Sequence, residues 1–246
     1  MSAQPLPAPI EELRARVAAL GEAQARPVFA FGLPEIDERL AGGGLVAGLH
    51  DVTAASPTLA DDAAATLFAA GIGARTGGHV LWVLTRFDLY APGLEQAGLV
   101  PDRLIYVEAR DDIEALAVIE DALRDGTVAC VIGEVRRAGM TATRRLHLAA
   151  AERGKLALLQ RRWRKADPLL EPSAAATRWR LACASSARLP VPGVGRARWQ
   201  LACARQRNGD AFSLLVEGCD EAGCLAVPAA IADRAIAAPG TAAWAA

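Results

Sequence analysis

Five short apolar runs, Gly48–Val52, His79–Leu84, Leu104–Val107, Val128–Ile132 and Leu156–Leu159, are separated by stretches with helical spacing at Ala60–Ala74, Asp111–Asp125 and Thr141–Arg153. This alternation constrains the fold more than any other feature. Strands joined through helices run parallel with right-handed crossovers, and strands covered on both faces are apolar throughout. Asp111-Asp112 ahead of the Ile113–Leu123 pattern and Gly126 behind it supply helix start and stop signals. Further along, the pattern becomes strict alternation, with Trp179, Leu181 and Cys183, then Trp199, Leu201 and Cys203, then Phe212–Glu217. Asn208-Gly209-Asp210 is a turn signal that predicts a hairpin between Arg205–Asn208 and Ala211–Leu214. The expected class is α/β, a mainly parallel twisted sheet flanked by helices, with antiparallel strands in the C-terminal third.

The first strand and helix have the layout of a phosphate-binding strand, loop and helix, preceded by the glycine run Gly42-Gly43-Gly44. A P-loop needs glycines so that backbone N–H groups converge on the phosphates, a lysine for their charge and a Ser/Thr for magnesium. Here the loop reads Thr53-Ala54-Ala55-Ser56-Pro57-Thr58-Leu59-Ala60-Asp61-Asp62. It has no glycine, no lysine, a proline without an N–H, and two carboxylates where the anion would sit. The expectation is an NTPase framework without NTPase chemistry, with no cofactor and no metal.

Composition is 52% hydrophobic, yet no apolar run reaches the roughly 18 residues of a membrane span. The proline-rich start, Met1 to Ile10, lacks the pattern of a secretory signal, so a cytoplasmic location is expected. The five cysteines form no CxxC pair and are read as structural thiols. His50, His79 and His147 sit in unrelated contexts with no GxSxG elbow, so no hydrolase triad is expected, and His50 beside Asp51 is read as a hydrogen-bonded framework pair.

Net charge is −1, but it is unevenly spread. Residues 1–132 carry 9 Lys/Arg against 19 Asp/Glu, and residues 133–210 carry 17 against 5. A basic block of this kind is what a nucleic-acid surface looks like in sequence, or else a solvated arginine-rich face. Within it, Arg161, Arg162, Trp163, Arg164 and Lys165 surround an aromatic with four cations, suited to phosphates and to stacking on single-stranded DNA. A docking site for an acidic partner is the competing reading. Residues 166–177, with Pro168 and Pro172, are expected to be a mobile loop. At the N-terminus Ile10, Leu13, Val17 and Leu20 fall at helical spacing, forming an amphipathic arm that docks on a partner or on its own domain. Trp244, in an alanine-rich tail, is a candidate partner anchor.

The run Phe31–Gly48 resembles the lead-in to the P-loop strand of RecA, and Asp102–Glu134 resembles the RecA segment that ends on the Walker B strand. Gly98–Leu104, Val131–Glu134 and Thr141–Ala150 resemble, more closely, the ImuA family of bacterial damage-inducible mutagenesis cassettes. The RecA likeness spans about residues 29–160, and a RecA-like core is expected at residues 28–234, between an N-terminal helical arm with linker at 1–27 and a flexible tail at 235–246. The ImuA likeness implies a non-catalytic adaptor in SOS-induced error-prone translesion synthesis. Its partners would be ImuB, a Y-family-polymerase-like protein without catalytic residues, and through it a C-family error-prone polymerase. RecA, single-stranded DNA and a second copy of the chain are further expected partners. By the RecA likeness, the position of the water-activating glutamate falls near Arg86 in Thr85-Arg86-Phe87-Asp88, and an arginine stays protonated. Glu134 is left as a plain strand-end carboxylate. Val131–Arg145 also resembles SulA, a RecA-like cell-division inhibitor that binds the tubulin-like division protein, and this is the alternative reading.

Overall fold

The computed structural model describes residues 26–163, 165–186 and 193–228. Leu13, Val17, Leu20, Arg164 and Trp244 lie outside them. A small ribbon pairs β1 (Val28–Phe29) with β2 (Leu45–Val46). The remaining strands are β3 (Gly48–Ala54), β4 (Val80–Leu84), β5 (Leu104–Glu108), β6 (Cys130–Val135), β7 (Leu156–Arg161), β8 (Thr177–Ala184), β9 (Arg198–Gln206) and β10 (Phe212–Glu217). They form one eight-stranded sheet in the order β10-β9-β8-β3-β7-β6-β4-β5. Pairing is parallel from β8 to β5 and antiparallel between β8, β9 and β10.

The helices are α1 (Pro34–Asp37), α2 (Leu59–Ala74), α3 (Ala91–Gln96), α4 (Asp112–Asp125) and α5 (Met140–Glu152). Helix α2 covers one face of the sheet. Its Ala64, Ala65, Phe68, Ala69 and Ile72 pack with Phe31, Ile36, Trp82 and Trp179. Phe31, Phe68 and Trp179 form an aromatic cluster with ring centroids 5.6 to 5.9 Å apart, a spacing at which edge and offset contacts add to area burial. Helices α4 and α5 cover the other face, with Ile119, Leu123 and Leu146 against Leu49, Val83, Val131 and Leu159. Helix α4 is bounded as its sequence predicts. Asp111 accepts from the Ile113 and Glu114 N–H groups at 2.9 Å, and Gly126 ends it in the left-handed region.

The connections place the site. The chain leaves β3 through α2 for β4, three strands away, and later passes from β7 across β3 to β8. Loops therefore diverge at the carboxyl end of β3, where open α/β sheets form their ligand crevice. Four strands, β3, β5, β6 and β7, run further than the apolar runs indicate, and in two of them the extra residues bear on the site. Strand β6 extends to Val135 and β7 to Arg161, so Glu134 pairs with Gln160 and Val135 with Arg161 inside the ladder. Polar residues at the ends of buried strands do not look like strand, and only tertiary partners account for them.

Candidate functional site

The loop between β3 and α2 is held by its own side chains. Thr58 is the N-cap of α2, and the Ser56 hydroxyl donates to Asp61 at 2.6 Å. The second Asp61 oxygen accepts the Cys183 N–H of β8 at 2.7 Å, and the Ala55 N–H bonds the Leu181 carbonyl at 2.6 Å. A helix N-terminus attracts anions. In α2 that place is filled from within, because Asp61 and Asp62 occupy the first turn.

Opposite them stands Arg162, which follows β7. Its guanidinium donates to Glu134 from Nε at 2.9 Å and from Nη2 at 2.5 Å, pairs closely with Asp62, and lies 3.4 Å from Asp88. The other Glu134 oxygen accepts from Trp82 Nε1 at 2.7 Å, so both carboxylate oxygens are engaged. Glu134 is thus a buried anchor and not the plain strand-end residue expected. Burial pushes its pKa above the usual carboxylate range, with Arg162 and Trp82 pulling against that. For Arg162 burial acts to lower the pKa, but Glu134, Asp62 and Asp88 outweigh it and raise it. Arg86 is exposed and pairs with Asp88. What remains between these groups is a cleft of about 170 Å³, also bordered by Pro57, Thr85 and Trp163. Ligand pockets usually span roughly 300–1,000 Å³.

The cluster of Arg161 to Lys165 is not one surface. Strand alternation sends Arg161 and Arg162 to opposite faces of the sheet. Arg161 is fully buried, 3.7 Å from Asp51 and tightly paired with Glu171, so the expected phosphate contact at this residue is a correction: its charge serves the core. Asp51 also accepts from Arg178 Nε of β8 at 3.0 Å. Burial raises the Asp51 pKa, opposed by Arg161 and Arg178. Strands β7 and β8, on either side of β3, thus each place an arginine beside Asp51. Arg162 is likewise consumed, and Trp163 is half-buried with its indole N–H on the Ala54 carbonyl at 2.8 Å. Lys165 is exposed. The segment 166–177, expected to be mobile, is tethered at Asp167 by Arg180 and at Glu171 by Arg161. His50 and Asp51 are not partners either, since neighbours on a strand face apart. His50 bonds Thr177 Oγ1 at 2.7 Å and the Val46 carbonyl at 2.9 Å.

Two cations that sequence reasoning passed over stand beside Lys165. Arg136 and Arg137, directly after β6, have their backbone N–H groups held by Asp112 at 3.1 and 3.0 Å and their side chains exposed. With Lys165 they line a groove of about 410 Å³ whose two carboxylates, Asp167 and Glu171, are already paired with Arg180 and Arg161. The signal available in sequence was an Arg-Arg pair at the carboxyl end of a parallel strand.

Strand order, the helix at the carboxyl end of β3 and the crevice beside it define a RecA-like fold. The chain is similar to the crystal structure of the RadB recombinase, with a TM-score of 0.56 at 18% identity, covering 81% of this chain and 99% of that one. No protein-family model matches. Over 175 residues, 67% of this chain and 72% of the relative, it is 40% identical to Protein ImuA of Caulobacter vibrioides, in strain NA1000 / CB15N and equally in strain ATCC 19089 / CIP 103742 / CB 15. The chain belongs to the ImuA family.

Proposed function

We propose that this chain is a non-catalytic RecA-fold adaptor of an SOS-inducible, error-prone translesion-synthesis complex. It works by binding an ImuB-like partner, through which an error-prone C-family polymerase is engaged, and by contacting single-stranded DNA or RecA. The observation that carries the non-catalytic part is Arg162, bound by Asp62, Glu134 and Asp88 in the crevice where a nucleotide's phosphates and magnesium would need room and charge. A phosphate entering there would meet three carboxylates, and magnesium would have to displace a guanidinium from them. Neither Glu134, with both oxygens engaged, nor Arg86, a cation, is placed to activate water, and Asp62 and Asp88 are paired with Arg162.

The groove of Arg136, Arg137 and Lys165 supports the DNA contact, because its cations are exposed on loops at the carboxyl end of the sheet while its carboxylates are neutralised. Among the described residues no helix is long and apolar enough to cross a membrane. Calorimetric titration of the purified chain with ATP and magnesium tests the first part, with no saturable heat expected. Hydrolysis abolished by Glu134→Ala would overturn it. Co-purification from DNA-damaged cells tests the second, with a Y-family-like protein expected; recovery of the tubulin-like division protein instead would favour the SulA-like inhibitor.

A further inference from the structure

At the opposite end of the sheet from the crevice lies a cavity of about 230 Å³, under the glycine run that precedes β3. Its walls come from Leu40–Gly44, the start of β8, the end of β9 and His147 of α5. The wall is braced. Gln206 accepts the Ala41 N–H at 3.0 Å and donates to the carbonyls of Arg39 at 2.8 Å and Asp210 at 2.6 Å, tying the glycine run to β9. Gly42 and Gly44 are needed there. A Cβ on Gly42 would fall 2.4 Å from Val46, and one on Gly44, at φ 154, would fall 2.8 Å from the Phe29 carbonyl.

His147 is only 5% exposed, and one of its ring nitrogens is accounted for: Nδ1 accepts the Leu49 N–H at 3.2 Å. A neutral imidazole that accepts at Nδ1 carries its proton on Nε2. Among the described residues Nε2 has no hydrogen-bond partner, and His147 lines the cavity, so this N–H is open to a ligand there. Gly48 lets the ring lie this close to β3, since a Cβ there would stand 2.7 Å from His147 Cε1. His50 and Thr177 are already engaged. Both nitrogens of His50 are used, and Thr177 Oγ1 already serves His50 and Trp179. Among the described residues the lining contains two arginines, Arg26 and Arg207, the latter with one Nη near the Ala174 carbonyl at 3.5 Å, and no carboxylate. Both arginines act on the ring, and with burial as the larger cause they hold its pKa down to about 4.

We propose that this cavity binds an oxyanion, a phosphate or carboxylate group, that accepts from His147 Nε2 and sits between Arg26 and Arg207. One donor and two forked cations suit the planar or tetrahedral oxygens of either group. The volume holds such a group with little else. The site is separate from the crevice and from the cationic groove: its described lining offers a donor and two cations without a carboxylate, whereas the crevice contains its own anions.

The test is long-range proton–nitrogen NMR of His147 in the full chain, titrated with inorganic phosphate and, separately, with glutarate. Nε2 protonation in the free chain and a saturable shift at millimolar anion are expected. Arg26→Gln with Arg207→Gln, both at exposed positions, should weaken binding by about tenfold or more, while Arg205→Gln, an exposed arginine outside the lining, should not. Preference for phosphate assigns a phosphate-bearing ligand, and preference for glutarate assigns a carboxylate such as an acidic side chain of a partner. No saturable shift with either anion, or a shift untouched by the double substitution, overturns the proposal. These outcomes are independent of nucleotide binding in the crevice.

Discussion

Replacing Arg162 with alanine would leave Glu134, only 5% exposed at its side chain, with the Trp82 N–H and no countercharge. Breaking a buried pair from one side costs about 3–5 kcal/mol, mostly as the uncompensated charge left behind. Urea denaturation of Arg162→Ala at neutral pH should show a loss of about 3 kcal/mol, and the added change Glu134→Gln should recover part of it, since a neutral amide has no charge to compensate. If the two effects simply add, the guanidinium is not holding the carboxylate. The histidines give a second residue-scale expectation. His50 and His147 are each held down to about 4 from an ordinary value of 6.5, chiefly by burial. Their folded pKa lies below the unfolded one, so their contribution is full above pH 6.5 and fades as the pH falls toward about 4. Each histidine should cost about 2 kcal/mol between pH 6.5 and about 5, before most carboxylates titrate. Urea midpoints at the two pH values, for the parent and for His147→Gln, check this; an equal fall in both would show that His147 is not the source.

At the level of elements, α2 buries ten of its sixteen residues. It lies between the sheet and the segment at 218–223, and at Gly71 an added Cβ would stand 2.2 Å from Cys219 Sγ and 3.2 Å from the Gly223 carbonyl. Gly71→Ala should therefore lower stability by about 1–3 kcal/mol despite its better helix propensity. Cys219→Ala in the same chain should restore part of the loss, as thermal midpoints would show. Neither glycine nor cysteine advertises this contact in sequence, because it joins residues far apart in the chain. The same limit governs what could be read elsewhere. Helix α4 was legible because its cap residues are local, and the α/β alternation was legible because buried strands are apolar throughout. The ends of β6 and β7 were not, since Glu134, Gln160 and Arg161 belong to strands only by virtue of partners on other elements. Once β7 is seen to run through Arg161, the apparent cation cluster divides between two faces. That the loop after β3 has neither glycine nor lysine was readable from its residues, whereas the place of Arg162 among three carboxylates was not, because these come from α2, β6 and the segment after β4.

For the molecule as a whole, the acidic and basic blocks of the sequence fold against each other. Arg145 pairs with Glu120, Arg162 with Asp62, Glu134 and Asp88, Arg178 with Asp51, and Arg196 with Asp220, so much of the positive charge of residues 133–210 is spent internally. A chain with a net charge of −1 has little general attraction for a polyanion, and any DNA binding must be focused where cations remain exposed. Arg136, Arg137 and Lys165 are such a place, on the loops after β6 and β7. Each phosphate contact with a single strand contributes about 0.7 to the slope of log affinity against log salt. Three contacts in the groove should therefore contribute a slope of about 2. Fluorescence anisotropy with a labelled single-stranded oligonucleotide over a salt series measures that slope. Changing Arg136, Arg137 and Lys165 together to glutamine should remove about 2 from it and weaken binding alike for all sequences, since phosphates carry no base identity. Changing Arg161 should not alter the slope, because its charge is buried against Asp51 and Glu171. A slope that survives the triple substitution would move the DNA contact elsewhere and leave the groove as a docking surface for an acidic protein, whose binding would then weaken with the same three residues.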